Sequence, residues 1–205
     1  MIGETLPRFS MPKVLLALFV TLTPSLALAH VGVGETGGIA HGFMHPVSGF
    51  DHILAMVAAG LFAAHLGGHA LWLVPLSFVA MMAFGGVLGM AGIGLAYVEI
   101  AIGLSVVVLG IIVATRVNPP VAIAMALVGF FAIFHGHAHG AEMPETASGL
   151  AYGVGFILAT ALLHAIGIGV GISIGKAGQR YSRTISQIAG GAMALAGVAM
   201  LGAII

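Results

Sequence analysis

The stretch Phe134-His135-Gly136-His137-Ala138-His139-Gly140-Ala141-Glu142 closes a long apolar run and sets three histidines and a carboxylate within eight positions. If a helix continues through it, His135 and His139 stand at i, i+4 and Glu142 at i+3 from His139, so all three share a face. Imidazole nitrogens suit nickel, cobalt, copper and zinc, and a carboxylate adds charge compensation. Gly136 and Gly140 repeat at the same interval, which lets another backbone approach beside the ligands. His137 points elsewhere on a helix, to support a ligand from behind or to meet the aqueous rim. The competing explanation is a polar helix end with its histidines at the lipid headgroup level.

A second segment has matching chemistry: His41, then His45-Pro46-Val47-Ser48-Gly49-Phe50-Asp51-His52. His45 and His52 are seven apart and share a helical face, but on one ideal helix about 10 Å of axis separates them, too far for one ion. Either they form successive sites or the backbone near Gly49 is distorted. Asp51 can bind metal directly or accept the second ring hydrogen of a ligating histidine on another helix; the alternative is a polar cap favoured by the helix dipole. Glu99 and His164 are further ionisable groups inside apolar runs, where such groups face a cavity or a partner. With the two clusters they outline a polar path toward the membrane centre. His65 and His69 form an i, i+4 pair at the opposite face, better read as headgroup-level residues.

The elements that must position these groups are membrane helices. Of 205 residues, 60% are hydrophobic and 6% charged, a composition outside that of soluble domains. The apolar runs are continuous rather than alternating, which indicates an all-α membrane protein. Residues 1–29 read as a signal peptide: Arg8 and Lys13 are basic, Val14 to Leu22 apolar, and Ala27-Leu28-Ala29 is an A-x-A cleavage site. Cleavage makes His30 the N-terminus, whose amine and imidazole can chelate a divalent ion together. Residues 30–205 then form one domain of six transmembrane helices, at about His45–Leu66, Ala70–Met90, Leu95–Thr115, Pro119–His137, Ser148–Ile174 and Ile185–Ile205, each long enough for about 30 Å of hydrocarbon. Pro46 is expected in the first turn of the first helix.

Arg116, Lys176, Arg180 and Arg183 fall in loops on one side, which the charge rule assigns to the cytoplasm. The histidine clusters and both mature termini then face outward, as in a multi-pass protein of a bacterial inner membrane. Zero net charge argues against a nucleic-acid partner. The absence of cysteine removes disulfides, thiolate metal sites and cysteine nucleophiles. The expected partners are lipid and the ion itself. The glycine repeats Gly85-x₃-Gly89, Gly149-x₃-Gly153 and Gly167-x₃-Gly171 can pack helices within one chain or in a homo-oligomer.

In His45-Pro46 with Gly49 and Asp51-His52, and in Phe134-His135-Gly136 with Ala138-His139-Gly140 and Glu142, the chain resembles the HupE/UreJ family of nickel permeases. The signal peptide and six-helix remainder match that family as well. The resemblance implies nickel uptake for hydrogenase or urease maturation, with cobalt as the alternative ion, and His45, Asp51, His52, His135, His139 and Glu142 as transport-site residues. In the larger nickel–cobalt permease family a related His-Asp-His segment has a shorter spacer than Pro46 to Phe50 here, so the chain is not assigned to it.

The expected function is a facilitator or secondary transporter for Ni²⁺ or Co²⁺, with His/Asp/Glu ligands and no bound cofactor. Further metal-ligand candidates are His30, His41, Glu99 and His164. No phosphate-binding loop is present, so the chain itself does not hydrolyse ATP. The alternatives are an intramembrane histidine-box metalloenzyme and a membrane metal sensor. Against the first, the chain has no adjacent His-His pair and no His-Glu-x-x-His; against the second, it has no soluble signalling domain.

Overall fold

The computed structural model describes residues 38–143 and 149–204; the segment read as a signal peptide and His30 lie outside them. The described residues form helices α1 (Gly38–Ser48), α2 (Phe50–Leu66), α3 (Ala70–Met90), α4 (Val98–Thr115), α5 (Val121–Ala141), α6 (Gly149–Lys176) and α7 (Gln179–Ile204). Lipid offers no partner to a backbone amide, so runs of Ala, Leu, Val and Gly close their hydrogen bonds within each helix. Five of the helices are long and apolar enough to cross a membrane, and α1 with α2 makes a sixth span if the bent pair counts as one.

That pair corrects the expected first helix. Instead of one rod from His45 to Leu66, the chain enters at Gly38, stops at Ser48 and restarts at Phe50, bent by 82°. The break is at Gly49, whose backbone is extended (φ −89°, ψ 115°). Pro46 therefore sits in the last turn of α1 rather than the first turn of a helix. It lacks the amide hydrogen that would hold that turn, which favours a stop there.

Two other boundaries move. The fourth expected helix runs past His137 to Ala141, so α5 carries His139 as well. The last starts at Gln179 rather than near Ile185, so Arg180 and Arg183 belong to the opening turns of α7 instead of a loop. Charged side chains can continue a helix where it leaves the hydrocarbon, because their stems reach outward to water.

Helix α3 packs chiefly on α5, α4 on α7, and α1 and α2 on α6. The α3–α5 seam is built from small residues. A side chain on Gly136 would strike the Met82 carbonyl, and one on Gly140 the Gly86 carbonyl. The close approach expected beside the ligands is thus present, and it fixes α5 where His135 and His139 project. Gly85 and Gly89 meet α5, and Gly167 meets α2, so these glycines pack helices within the chain. The buried core runs through α2, α3 and α4 and includes Met56, Phe62, Phe78, Met82 and Leu109.

The two ends of the bundle differ in character. At one end Arg116 takes a left-handed conformation (φ 54°) as the cap of α4. The His65 Nε2–H donates to its carbonyl at 2.9 Å, and its Nη1 donates to Ser182 Oγ at 2.7 Å. These contacts tie α2, α4 and α7 together and hold a backbone conformation that non-glycine residues rarely adopt. The other end holds His45, His52, His135, His137 and His139.

Candidate metal centre

The break at Gly49 turns two distant histidines into neighbours of the same residue. His45, on α1, has its ring centroid 4.5 Å from that of His139 on α5, and His52, in the first turn of α2, lies 4.3 Å from His139. His52 also meets His135 edge-on at 4.7 Å. A straight helix would have spread His45 and His52 along its axis; the 82° bend wraps them around His139. Of the two possibilities left open by the seven-residue spacing, the distorted backbone is the one observed. A Cβ on Gly49 would sit 2.9 Å from Asp51 Oδ1 and 2.9 Å from His52 Nδ1, so the corner has room only for glycine unless that pair shifts.

Donor atoms of His45, His139 and Glu142 lie within 4.8 Å of one another. His45 Nε2 is 3.7 Å from Glu142 Oε2. Glu142 caps α5, one turn beyond His139. Two imidazoles and a carboxylate are an appropriate nitrogen–oxygen set for a borderline first-row divalent ion.

Deeper in, hydrogen bonds fix which ring nitrogen of each histidine is available. Asp51 Oδ1 accepts from His52 Nδ1–H at 2.7 Å and from the His52 backbone N–H at 2.8 Å. The lone pair of His52 therefore lies on Nε2. The sequence left Asp51 as a direct metal ligand, as an acceptor from a histidine on another helix, or as a polar cap; the histidine it accepts from is its own neighbour. Ser105, fully buried on α4, donates its hydroxyl to the Ile102 carbonyl at 2.6 Å and so accepts from His135 Nε2–H at 2.9 Å. That places the His135 lone pair on Nδ1. Among the described residues neither His52 Nε2 nor His135 Nδ1 has a hydrogen-bond partner, and neither nitrogen of His139 has one. His139, 5% exposed, is ringed by His45, His52 and Phe156. Each buried polar atom without a partner costs about 1–3 kcal/mol. A bound cation turns that cost into coordination, and the donors present fit one.

The remaining candidates divide. His41, half-buried on α1, is 6.1 Å from His45 and 5.9 Å from Tyr152, at the margin of the cluster. Glu99 is exposed in the first turn of α4. His137 donates its Nε2–H to the Ile93 carbonyl at 2.7 Å, which ties α5 to the α3–α4 connection. His164 lies deeper, on α6, against Phe78. Sequence reasoning missed Ser105, Tyr152 and Phe156. Ser105 carried a usable signal, a hydroxyl alone in the apolar run of α4; the two aromatics looked like packing residues.

The sequence matches the family model described as HupE / UreJ protein over residues 18–200. It is 50% identical over 190 residues to "Protein HupE" of Rhizobium leguminosarum bv. viciae, covering 92% of this chain and 97% of that one. No solved structure matches the chain.

Proposed function

The chain belongs to the HupE/UreJ family, and from that premise we propose that it carries Ni²⁺, or Co²⁺, across a bacterial inner membrane through the histidine cluster. The family is associated with nickel and cobalt transport, which supports this choice among the ions that imidazole accepts. The observation that carries the reading is His139, a buried ring with no partner on either nitrogen, surrounded by histidines from the two arms of a broken helix. A facilitator needs ligands that exchange. Neutral imidazoles and carboxylates release a borderline ion more readily than thiolates, and conduction requires exit as well as entry.

In the proposed mechanism Glu142, His45 and His139 capture the ion at the rim and replace part of its water. The ion then passes to His139, His52 and His135, whose lone pairs are preset by Asp51 and Ser105. Orientation of each ligating ring by a hydrogen bond on its other nitrogen raises ligand basicity and fixes geometry. The histidine end faces outward and the arginine end faces the cytoplasm, by the charge rule. Protons compete for the same lone pairs, so uptake falls as the outer solution is acidified.

The test is metal flux into proteoliposomes of purified protein, with Ni²⁺, Co²⁺, Zn²⁺ and Cu²⁺ compared and with His139→Ala and Asp51→Ala alongside. Uptake of nickel or cobalt that is lost in both variants is the expected result. Absence of flux for every ion, from correctly inserted protein that binds metal, overturns transport. Flux that survives both substitutions keeps transport and discards this site.

A further inference from the structure

Below the cluster, in the middle of the span, His164 is 1% exposed and has no hydrogen-bond partner on either ring nitrogen among the described residues. Its element gives it a defined setting. Thr160 lies one turn earlier on the same face of α6, fully buried, and its hydroxyl points at Met82 Sδ across the helix boundary at 3.6 Å. On α3, Phe78 lies one turn before Met82 and meets the His164 ring edge-on at 4.9 Å. The same Phe78 ring is 5.8 Å from His135, the deepest histidine of the cluster. On α6 an imidazole and a hydroxyl one turn apart thus face an aromatic ring and a thioether one turn apart on α3, and that aromatic ring also meets the cluster.

Beyond His164 lies a cavity. Gly171 is two turns further along α6, about 10 Å at 1.5 Å per residue. It lines a cavity of about 150 Å³ together with Phe62, His65, Arg116, Ser182 and Ser186. That cavity belongs to the arginine end of the bundle, where His65, Arg116 and Ser182 are joined. His164 lies between the two ends and is the ionisable side chain buried there among the described residues.

We infer that His164, with Met82 and Thr160, forms a second and weaker binding station for a borderline first-row divalent cation, through which the ion passes from the cluster toward the cavity. This rests on the transport reading for its purpose, but the site itself is a separate claim. The donor set favours the assignment. Imidazole alone binds such ions, the thioether adds a soft and weak ligand, and neither holds an ion as firmly as several histidines with carboxylates. A falling ladder of affinity lets an ion leave the outer site without being trapped at the next. The buried ring also explains why α6 tolerates a histidine in the hydrocarbon region at all, since an intramembrane histidine is costly without such a role.

The experiment uses Co²⁺ as probe, because its visible spectrum reports coordination directly. Purified full-length protein is titrated with Co²⁺, and flux is measured in parallel in proteoliposomes. Two binding events are expected. His139→Ala removes the tighter and leaves the weaker; His164→Ala does the reverse and lowers flux about tenfold or more, a loss of the size seen when support for a metal ligand is removed. Thr160→Val and Met82→Leu, close in volume to the originals, weaken the second event alone and keep the test valid if His164→Ala fails to fold. A titration with no event that responds to His164, Thr160 or Met82 overturns the second station, whether or not flux persists. Loss of flux in His164→Ala with both Co²⁺ events intact also overturns it, in favour of a proton-carrying ring. Wild-type protein that shows both events but no flux overturns the transport reading and leaves the second site standing.

Discussion

Two residues set which nitrogen the buried rings present to the proposed ion. Asp51 holds His52 by Nδ1, and Ser105 holds His135 by Nε2, so each ring is locked in one tautomer with its lone pair on the buried side. Ser105→Ala removes the acceptor and frees the His135 ring to turn or change tautomer. The expected loss is about tenfold to a hundredfold in metal affinity, with the helical content unaltered; equilibrium dialysis with Ni²⁺ and circular dichroism check the two halves. An unaltered affinity would show that His135 is not a ligand. Asp51→Asn separates charge from geometry. The amide can still accept from His52 Nδ1–H through its oxygen, so the ring stays oriented while the negative charge is lost. Affinity is expected to fall less than in Asp51→Ala.

At the scale of the element, the cluster depends on a helix that stops. Gly49→Ala has an allowed backbone conformation at φ −89°, so the added methyl acts only through space, against Asp51 and His52. The variant is expected to insert and fold, and to bind Ni²⁺ more weakly by displacing the His52 ring; a dialysis curve equal to that of the wild type would remove the corner from the site. Here the legible and illegible parts of the sequence separate. His135, His139 and Glu142 could be grouped from spacing alone, because i, i+3 and i, i+4 relations are local and survive any packing. The approach of a neighbouring helix at Gly136 and Gly140 was legible for the same reason. The bend was legible only as one of two possibilities: the seven-residue spacing of His45 and His52 allowed either successive sites or a distorted backbone near Gly49. Glycine in a membrane helix usually serves packing, so the spacing alone could not choose between them until α1 and α2 are seen docked on α6. The Ser105–His135 pair was hidden differently: it joins residues 30 positions apart, and no periodicity relates them.

At the scale of the whole molecule, the question is which end faces which side, because that decides whether the cluster captures ions for uptake or receives them for export. The two ends are chemically opposite. Arg116, Lys176, Arg180 and Arg183, all the lysines and arginines among the described residues, lie at the ends of α4 and α6 and the start of α7. His45, His52, His135, His139 and Glu142 gather at the other end. The positive-inside rule then assigns the basic end to the cytoplasm. The absence of cysteine makes the assignment testable without background labelling. Ala91 is exposed in the turn after α3, at the histidine end, where Gly89 packs beside His137; Ala177 is exposed between α6 and α7, at the basic end. In intact cells with a permeabilised outer membrane, a membrane-impermeant maleimide is expected to label Ala91→Cys at once and Ala177→Cys only after the inner membrane is opened. The reverse pattern would turn the cluster toward the cytoplasm. The same histidines would then serve an exporter. The direction of the proposed transport thus hangs on four basic side chains at the opposite end of the bundle.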